Sequence, residues 1–417
     1  MTTDRSTEHI RHVLLALLRD EDDEASRAEA GTWGDDEWAE LLAEAKRQRI
    51  VNLVFDRIRA CGLSARLPES ARAGFARSAR GAVQRGLRLH AELASMLDAF
   101  AAAALPVILL KGAYLGSTVY RHPGLRDMAD LDLLVPVPRL KEAASLVFGL
   151  GYAPRRRFDV DVVQAVAHHL PPCIKRGAAS VEVHWNITPP WQVVSIDPAA
   201  LWERSMPAVV LGRRVRALCP EDLALHLCIH VSYQHLFGFG LRSLCDLHLV
   251  LKSSSHPIDW QTFCARARAW QCERGVFLAL QVACDLLHAA VPPEVLGALR
   301  PQALPSAAVE FASHQVFADP VELQAFGGEI TRLAGDQTLQ SRWRHVRARL
   351  FVGRLELAAL SGGEPEMSRF RQALLYARRF AYLLTQYARP AIRLARGGTR
   401  GADVAIRQKF LREWLAS

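Results

Sequence analysis

Hydrophobic spacing divides the chain into helical stretches near both ends and a different pattern between them. In the first hundred residues, apolar side chains recur at helical intervals, and a long amphipathic stretch covers 68–103. The clearest early positions are Trp38, Leu41, Leu42, Ala45 and Ile50. After Pro190 the helical pattern continues to the end of the chain. We therefore expect two largely helical regions.

Between these regions, short apolar runs bounded by proline and glycine indicate strands. The predicted elements are a strand in PVILLK (106–111), a helix over 113–120, a strand in DLDLLV (130–135), a helix over 138–150, and a hairpin of LPPCI and SVEVHW whose second strand covers 180–185. We predict an α+β fold with a small mixed sheet. Its core would lie at 104–200, between an N-terminal helical arm at 1–103 and a C-terminal helical region with a basic tail at 201–417.

Three acidic residues in this central unit are candidate catalytic residues and metal ligands. Asp130 and Asp132 lie two residues apart on a predicted strand, so both carboxylates project from one face. Glu182 alternates with apolar residues on another strand in the same way. Neighbouring carboxylates repel each other and are costly to bury unless a cation neutralises them. Three oxygen donors suit Mg²⁺ or Mn²⁺, and two such ions can bridge a triphosphate and an attacking hydroxyl.

The residues before these acids could bind phosphate. Gly112 lies between the first predicted strand and its helix, where phosphate oxygens can approach the backbone and the free N–H groups of the helix start. Lys111 precedes that glycine, and Arg126 lies four residues before Asp130. Both cations are candidate contacts for the phosphates of a nucleotide.

The order of strand, glycine, helix, Asp-x-Asp and a later acid resembles the DNA polymerase beta-type nucleotidyltransferases. The segments LLKGAYLGSTVYRHPGLRDMADLDLLV and VEVHW are similar to a large bacterial nucleotidyltransferase family. The resemblance covers about 107–187 and extends more weakly to 38–62 and 219–247. It implies that Asp130 and Asp132 bind both metal ions and that Glu182 binds one and polarises the acceptor hydroxyl.

One position departs from the pattern of that superfamily. Its members commonly carry serine or a second glycine after the motif glycine, but this chain has Ala113. The hydroxyl contact to the triphosphate is then missing. Lys111 or Ser117 would substitute for it.

Further polar residues are candidates for the pocket. His184 lies on the strand face of Glu182, although it also fits a buried structural histidine beside Trp185. His169 could line the pocket from the partner strand, although it also fits an ordinary loop histidine. Arg242 and Asp246 are spaced as an intrahelical ion pair, but the resemblance also allows their helix to close over the acceptor. His226 and His230 have the spacing of zinc ligands, yet their apolar neighbours favour a packed helix.

The positive charge is concentrated near the C-terminus. Residues 341–417 hold 16 Lys and Arg against 5 Asp and Glu, whereas the remaining 340 residues carry a net charge of −2. This segment could bind nucleic acid, but its arginines form no continuous stripe, and solvated helix faces explain them better. No apolar run approaches the length of a membrane helix, and the N-terminus does not resemble a secretory signal, so we expect a cytoplasmic protein.

These features together predict an enzyme. It would transfer a nucleoside monophosphate from an NTP to a small-molecule or peptide acceptor, release pyrophosphate, and require Mg²⁺ or Mn²⁺. Two alternatives remain open from the sequence. One is a tRNA-modifying nucleotidyltransferase whose basic tail holds the RNA, and the other is a non-catalytic nucleotide-binding protein of the same fold.

Overall fold

The computed structural model describes residues 2–19, 28–253, 255, 257–318, 357, 368–381 and 399–417. Its strands are β1 (Ile108–Leu109), β2 (Asp130–Leu134), β3 (Ala153–Pro154), β4 (Cys173–Ile174), β5 (Ser180–His184), β6 (Met206–Val210) and β7 (Arg213–Ala217). Its helices are α1 (Thr2–Leu18), α2 (Asp35–Arg47), α3 (Val51–Ala60), α4 (Glu69–Ala102), α5 (Lys111–Thr118), α6 (Leu140–Gly149), α7 (Val160–Gln164), α8 (Pro198–Arg204), α9 (Pro220–Ile229), α10 (Leu241–Lys252), α11 (Trp260–Ala269), α12 (Glu273–Leu287), α13 (Pro293–Leu299), α14 (Ser306–Val316) and α15 (Thr399–Ala416). Residues 369–381 are also helical.

The predicted α+β fold with a mixed sheet and flanking helices is confirmed. Seven strands form one sheet in the order β3-β4-β5-β2-β1-β7-β6. The central strand β2 runs parallel to β5 and antiparallel to β1, while β1 runs parallel to β7. The predicted hairpin is present as the antiparallel pair β4 and β5. The two strands that carry the candidate acids are thus direct neighbours.

Two strands lie where the sequence predicted only helices. The antiparallel pair β6 and β7 follows Pro190, so the prediction of helices from there to the end is wrong for 206–217. Leu211 and Gly212 connect the pair with φ values of 52° and 74°. Two positive φ angles are typical of the type I′ turn, whose twist matches that of a hairpin. Because β7 pairs with β1, the sheet extends beyond residue 200, at which we predicted the core to end.

Helices enclose the sheet and extend the same hydrophobic core. The long helix α4 packs against α2, α3, α6 and β7. In the C-terminal region, α9 packs against α10, α11 and α12. None of the described helices combines the length and the hydrophobicity that crossing a membrane requires.

The helix α15 is part of this core although it is distant in sequence. It packs against α14, and Leu411 and Trp414 on it are buried. The Trp414 indole N–H also donates to the carbonyl of Ala303 at 3.3 Å. Much of the basic segment 341–417 lies outside the described residues, but this part of it is structural.

A buried ion pair connects the sheet region to the C-terminal helices. Arg126, in the loop before β2, donates from Nε and Nη2 to the two carboxylate oxygens of Asp246 on α10, at 2.8 and 2.7 Å. The Tyr120 hydroxyl donates to the same carboxylate at 2.7 Å. The exposed fractions of the Arg126 and Asp246 side chains are only 6% and 4%. Removing either partner would therefore leave a buried charge without compensation.

We expect Asp246→Ala to lower the free energy of unfolding by about 3–5 kcal/mol, because Arg126 would stay buried without its carboxylate. A control is Asp56→Ala, which removes the partner of Arg121, a side chain that is 68% exposed. That change should cost about 1 kcal/mol or less, since water screens exposed ion pairs. Urea unfolding of both variants measures the two losses. A loss for Asp246→Ala no larger than that of the control would contradict the prediction.

Candidate active site

The pairing of β2 with β5 brings the candidate acids together. The two strands are parallel and in register, with Asp132 opposite Glu182 and Asp130 opposite Ser180. Since alternate residues of a strand share a face, Asp130, Asp132, Glu182 and His184 all project from the same side of the sheet. The sequence predicted a shared face on each strand, and the register places the two sets side by side.

Asp132 is the buried centre of this group. Its Oδ2 lies 3.2 Å from Lys111 Nζ, and its Oδ1 lies 3.0 Å from His184 Nε2. His184 Nε2 is also 3.5 Å from Glu182 Oε2, and His169 Nδ1 is 4.0 Å from the same oxygen. Lys111 and His184 therefore supply positive charge or hydrogen bonds to the acids from within the protein.

The surroundings shift the pKa values of the acids in opposite directions. Burial raises the pKa of Asp130, and the neighbouring Asp132 charge raises it further. Burial alone would also raise the pKa of Asp132, but the Lys111 ammonium and the His184 hydrogen bond hold it well below its usual range. His184 in turn has a raised pKa, because its hydrogen bonds to Asp132 and Glu182 outweigh burial, which would lower it. Asp132 is thus held in its ionised form.

The turn between β1 and α5 has an unusual conformation at Lys111. The φ angle of this residue is 40°, in the left-handed region that a side chain adopts at a cost. Gly112 does not have a positive φ, but a Cβ there would overlap the guanidinium Nη1 of Arg126 and approach the Met128 side chain to 3.3 Å. Glycine at 112 therefore makes room for Arg126, while the backbone strain falls on Lys111.

A cleft opens over these residues, between the sheet and the C-terminal helices. The sheet side contributes Lys111, Gly112, Arg126, Asp130 and Asp132. The helical side contributes Leu227, His230, Phe239, Arg242, Ser243 and Asp246. Carboxylates and cations thus line a single cleft, and both regions of the chain are needed to form it.

Arg242 is the cation of the helical side that no carboxylate holds at ion-pair distance in the described structure. The predicted intrahelical pair with Asp246 is wrong, because Asp246 binds Arg126 on the other side of the cleft. Arg242 donates from Nη1 to the carbonyl of Asp127 at 3.2 Å, and its Nε is buried without a hydrogen-bond partner. Burial lowers the pKa of Arg242, as does the charge of Arg126. Such a guanidinium is available to bind an anionic group of a ligand.

The structure brings all the predicted site residues together except Ser117. Lys111, Gly112, Arg126, Asp130, Asp132, Arg242 and Asp246 line the cleft, and Glu182, His184 and His169 adjoin Asp132. Ser117 lies apart, near the end of α5, and its hydroxyl is buried without a hydrogen-bond partner among the described residues. His230 and Phe239 also line the cleft, a position that was not predicted for them from the sequence. The motif HLFGFG held the signal, since two glycines interrupt an otherwise helical pattern there.

The donor set fits a metal ion. One donor atom each from Asp132, Glu182 and His184 lies within 4.8 Å of the other two. Two of these donors are carboxylate oxygens, and Asp130 adds a further carboxylate at the cleft. Oxygen-rich sites of this kind suit hard divalent cations. His184, predicted as a pocket residue, is thus also placed to be a ligand.

Comparison with known proteins identifies the family of this chain. No curated protein matches the chain. The solution structure of the antibiotic-resistance factor ANT(2″)-Ia is similar at a TM-score of 0.32 and 16% identity, covering 47% of this chain and 96% of that one. A family described as uncharacterised nucleotidyltransferases matches residues 34–288, which is more than half of the chain. The chain belongs to this family and is a nucleotidyltransferase.

Proposed function

We propose that this enzyme transfers a nucleoside monophosphate from an NTP to a small-molecule or peptide acceptor, as a member of the DNA polymerase beta-type superfamily. The observation that carries the proposal is the in-register pairing of Asp132 with Glu182, beside Asp130. Asp130 and Asp132 share a cleft with Lys111 and Arg242, and Glu182 lies opposite Asp132 on the neighbouring strand. A divalent cation and a polyphosphate together match this combination of charges.

In the proposed reaction, an acceptor oxygen forms a bond to the α-phosphorus while the bond from that phosphorus to the bridging oxygen breaks, and pyrophosphate leaves. Asp130, Asp132 and Glu182 would hold Mg²⁺ or Mn²⁺, which supplies charge neutralisation for the triphosphate when bound. A carboxylate oxygen of Glu182 accepts the hydroxyl proton of the acceptor. Arg242 holds the phosphates, so that catalysis rests on positioning and electrostatics.

Lys111 has a different place in this proposal from the simple phosphate contact that the sequence suggested. Its ammonium forms an ion pair with the Asp132 carboxylate, at the place where a metal cation would bind. Arg126 is likewise held by Asp246, so its contribution to the cleft is mainly a fixed positive charge. We therefore assign Lys111 to keeping Asp132 ionised before substrate arrives. Arg242 becomes the principal phosphate ligand.

The first test replaces each acid with its neutral isostere. Asp130→Asn, Asp132→Asn and Glu182→Gln should each abolish NTP consumption, because the cation site loses a charged ligand. Asp98→Asn is the control, since it removes a carboxylate from the exposed pair with Arg213 and should keep wild-type turnover. Pyrophosphate release measures the rate. Wild-type turnover in any of the three variants would remove that acid from the site.

Stability should separate the two aspartates. The raised pKa of Asp130 means that its charge opposes folding at neutral pH, so Asp130→Asn should be neutral or slightly stabilising. The lowered pKa of Asp132 means that its charge supports folding above the unfolded-state pKa and that this support is lost as the pH falls. Asp132→Asn should therefore destabilise the apoprotein. The opposite order in thermal unfolding would contradict these directions.

The second test concerns the proposed phosphate ligand. Arg242→Ala should weaken the binding of a non-hydrolysable NTP with Mg²⁺ by about 1–3 kcal/mol, the range for lost charge-assisted hydrogen bonds. Arg213→Ala removes an arginine from an exposed pair and should leave the affinity unchanged. Isothermal titration calorimetry compares the two. Equal affinities would mean that Arg242 serves only to hold the Asp127 carbonyl.

A third test addresses the acceptor. Removing the whole basic tail would also remove α15, whose Leu411 is fully buried, so charge neutralisation is the better probe. Arg369, Arg371 and Arg378 are exposed on the helix 369–381. With a small-molecule or peptide acceptor, tRNA binding at ~150 mM salt should be weak, and replacing all three with glutamine should not alter turnover. Submicromolar tRNA binding that loses about two to three units of log–log salt slope in the triple variant would favour an RNA acceptor instead.

A further inference from the structure

The segment between α9 and α10 has an irregular backbone. Residues His230–Gln234 form a π-helical turn. Such turns are rare in proteins, and those that occur are often found at functional sites. Leu236 and Phe237 follow with φ values of 45° and 63°, although neither is glycine. Side chains adopt this region of backbone space only at a cost, so the surrounding packing must hold the segment in place.

This irregular backbone gives two nearby phenylalanines opposite environments. Phe237 is fully buried in the core. Phe239, two residues later, is 42% exposed and lines the cleft that also holds Asp130 and Arg242. Inside a polar cleft, such a ring is a candidate contact for a flat ligand.

Two histidine rings pack against the exposed Phe239 ring. The His235 imidazole stacks on Phe239 with 3.6 Å between ring centroids and 20° between ring planes. His230 adds a third ring, with its centroid 4.4 Å from that of His235 and 5.6 Å from that of Phe239. These contacts hold the Phe239 ring in place where it lines the cleft.

The supporting histidine carries no charge at neutral pH. Burial lowers the pKa of His235 to about 3, with contributions from the nearby charges of Lys111 and Arg242. The stack is therefore a neutral aromatic surface beside strongly charged groups. This division matches a nucleotide, which has a flat heterocycle at one end and phosphates at the other.

We propose that Phe239, backed by His235, is the surface on which the nucleobase of the NTP stacks. The inference rests on the proposed nucleotidyl transfer and adds the residue that holds the base. Stacking uses the π face that every nucleobase has. This surface should therefore strengthen the binding of any nucleotide relative to a polyphosphate without a base, and it should not distinguish one base from another by hydrogen bonding. It makes Phe239 a substrate-binding residue on the helical side of the cleft.

The experiment compares two ligands that differ in the nucleoside. Binding of a non-hydrolysable ATP analogue and of tripolyphosphate, each with Mg²⁺, is measured by calorimetry on the full chain and on Phe239→Ala. The variant should bind the ATP analogue about tenfold more weakly, which corresponds to about 1.4 kcal/mol. Its affinity for tripolyphosphate should stay that of the wild type, because the phosphates do not touch the ring.

Two further variants separate stacking from packing. Phe239→Trp keeps an aromatic face and should retain the affinity for the ATP analogue. Phe239→Leu keeps apolar bulk and the fold but lacks a π system, so it should behave like Phe239→Ala. Equal loss of both ligands in Phe239→Ala, or wild-type affinity in both Phe239→Ala and Phe239→Leu, would overturn the inference while the proposed function stands. A wild-type protein that bound neither ligand would overturn both.

Discussion

The close approach of carboxylates on one sheet face is the constraint on which the site depends. Asp132 is buried next to Glu182, an arrangement that is stable only if positive charge compensates it. Lys111 and His184 provide that compensation from two different elements. The strained backbone of Lys111 is explained in the same way, because it lets a helix-terminal lysine reach the strand face. The backbone conformation at Lys111 thus accompanies the neutralisation of the Asp132 charge.

A second set of contacts holds the other wall of the cleft in place. The Arg126–Asp246 pair joins the loop before β2 to a helix more than a hundred residues later. Gly112 leaves the space into which that guanidinium fits. Because Asp246 is committed to Arg126, Arg242 is left to face an anion in the cleft. One ion pair therefore connects the two walls of the cleft and leaves Arg242 without a carboxylate partner among the described residues.

The sequence was informative where a residue's role follows from local periodicity. Strand alternation placed Asp130 with Asp132, and Glu182 with His184, on shared faces, and the α+β fold followed from the same patterns. The β2–β5 register, the partner of Asp246 and the hairpin of β6 with β7 depend on contacts between distant segments, so periodicity could not determine them. Phe239 was missed for a related reason: only the irregular turn before it brings the ring to the cleft.

The position of α15 has a consequence for the order of events during synthesis. The described residues that line the cleft all lie between Lys111 and Asp246, so they leave the ribosome well before α15 does. The Trp414–Ala303 contact spans 111 residues of chain, and long-range closures of this kind are slow. The nascent chain therefore holds all the described cleft residues while its core still lacks the packing of α15. In this protein, the cleft residues are translated early, and the helix that completes the described core is translated late.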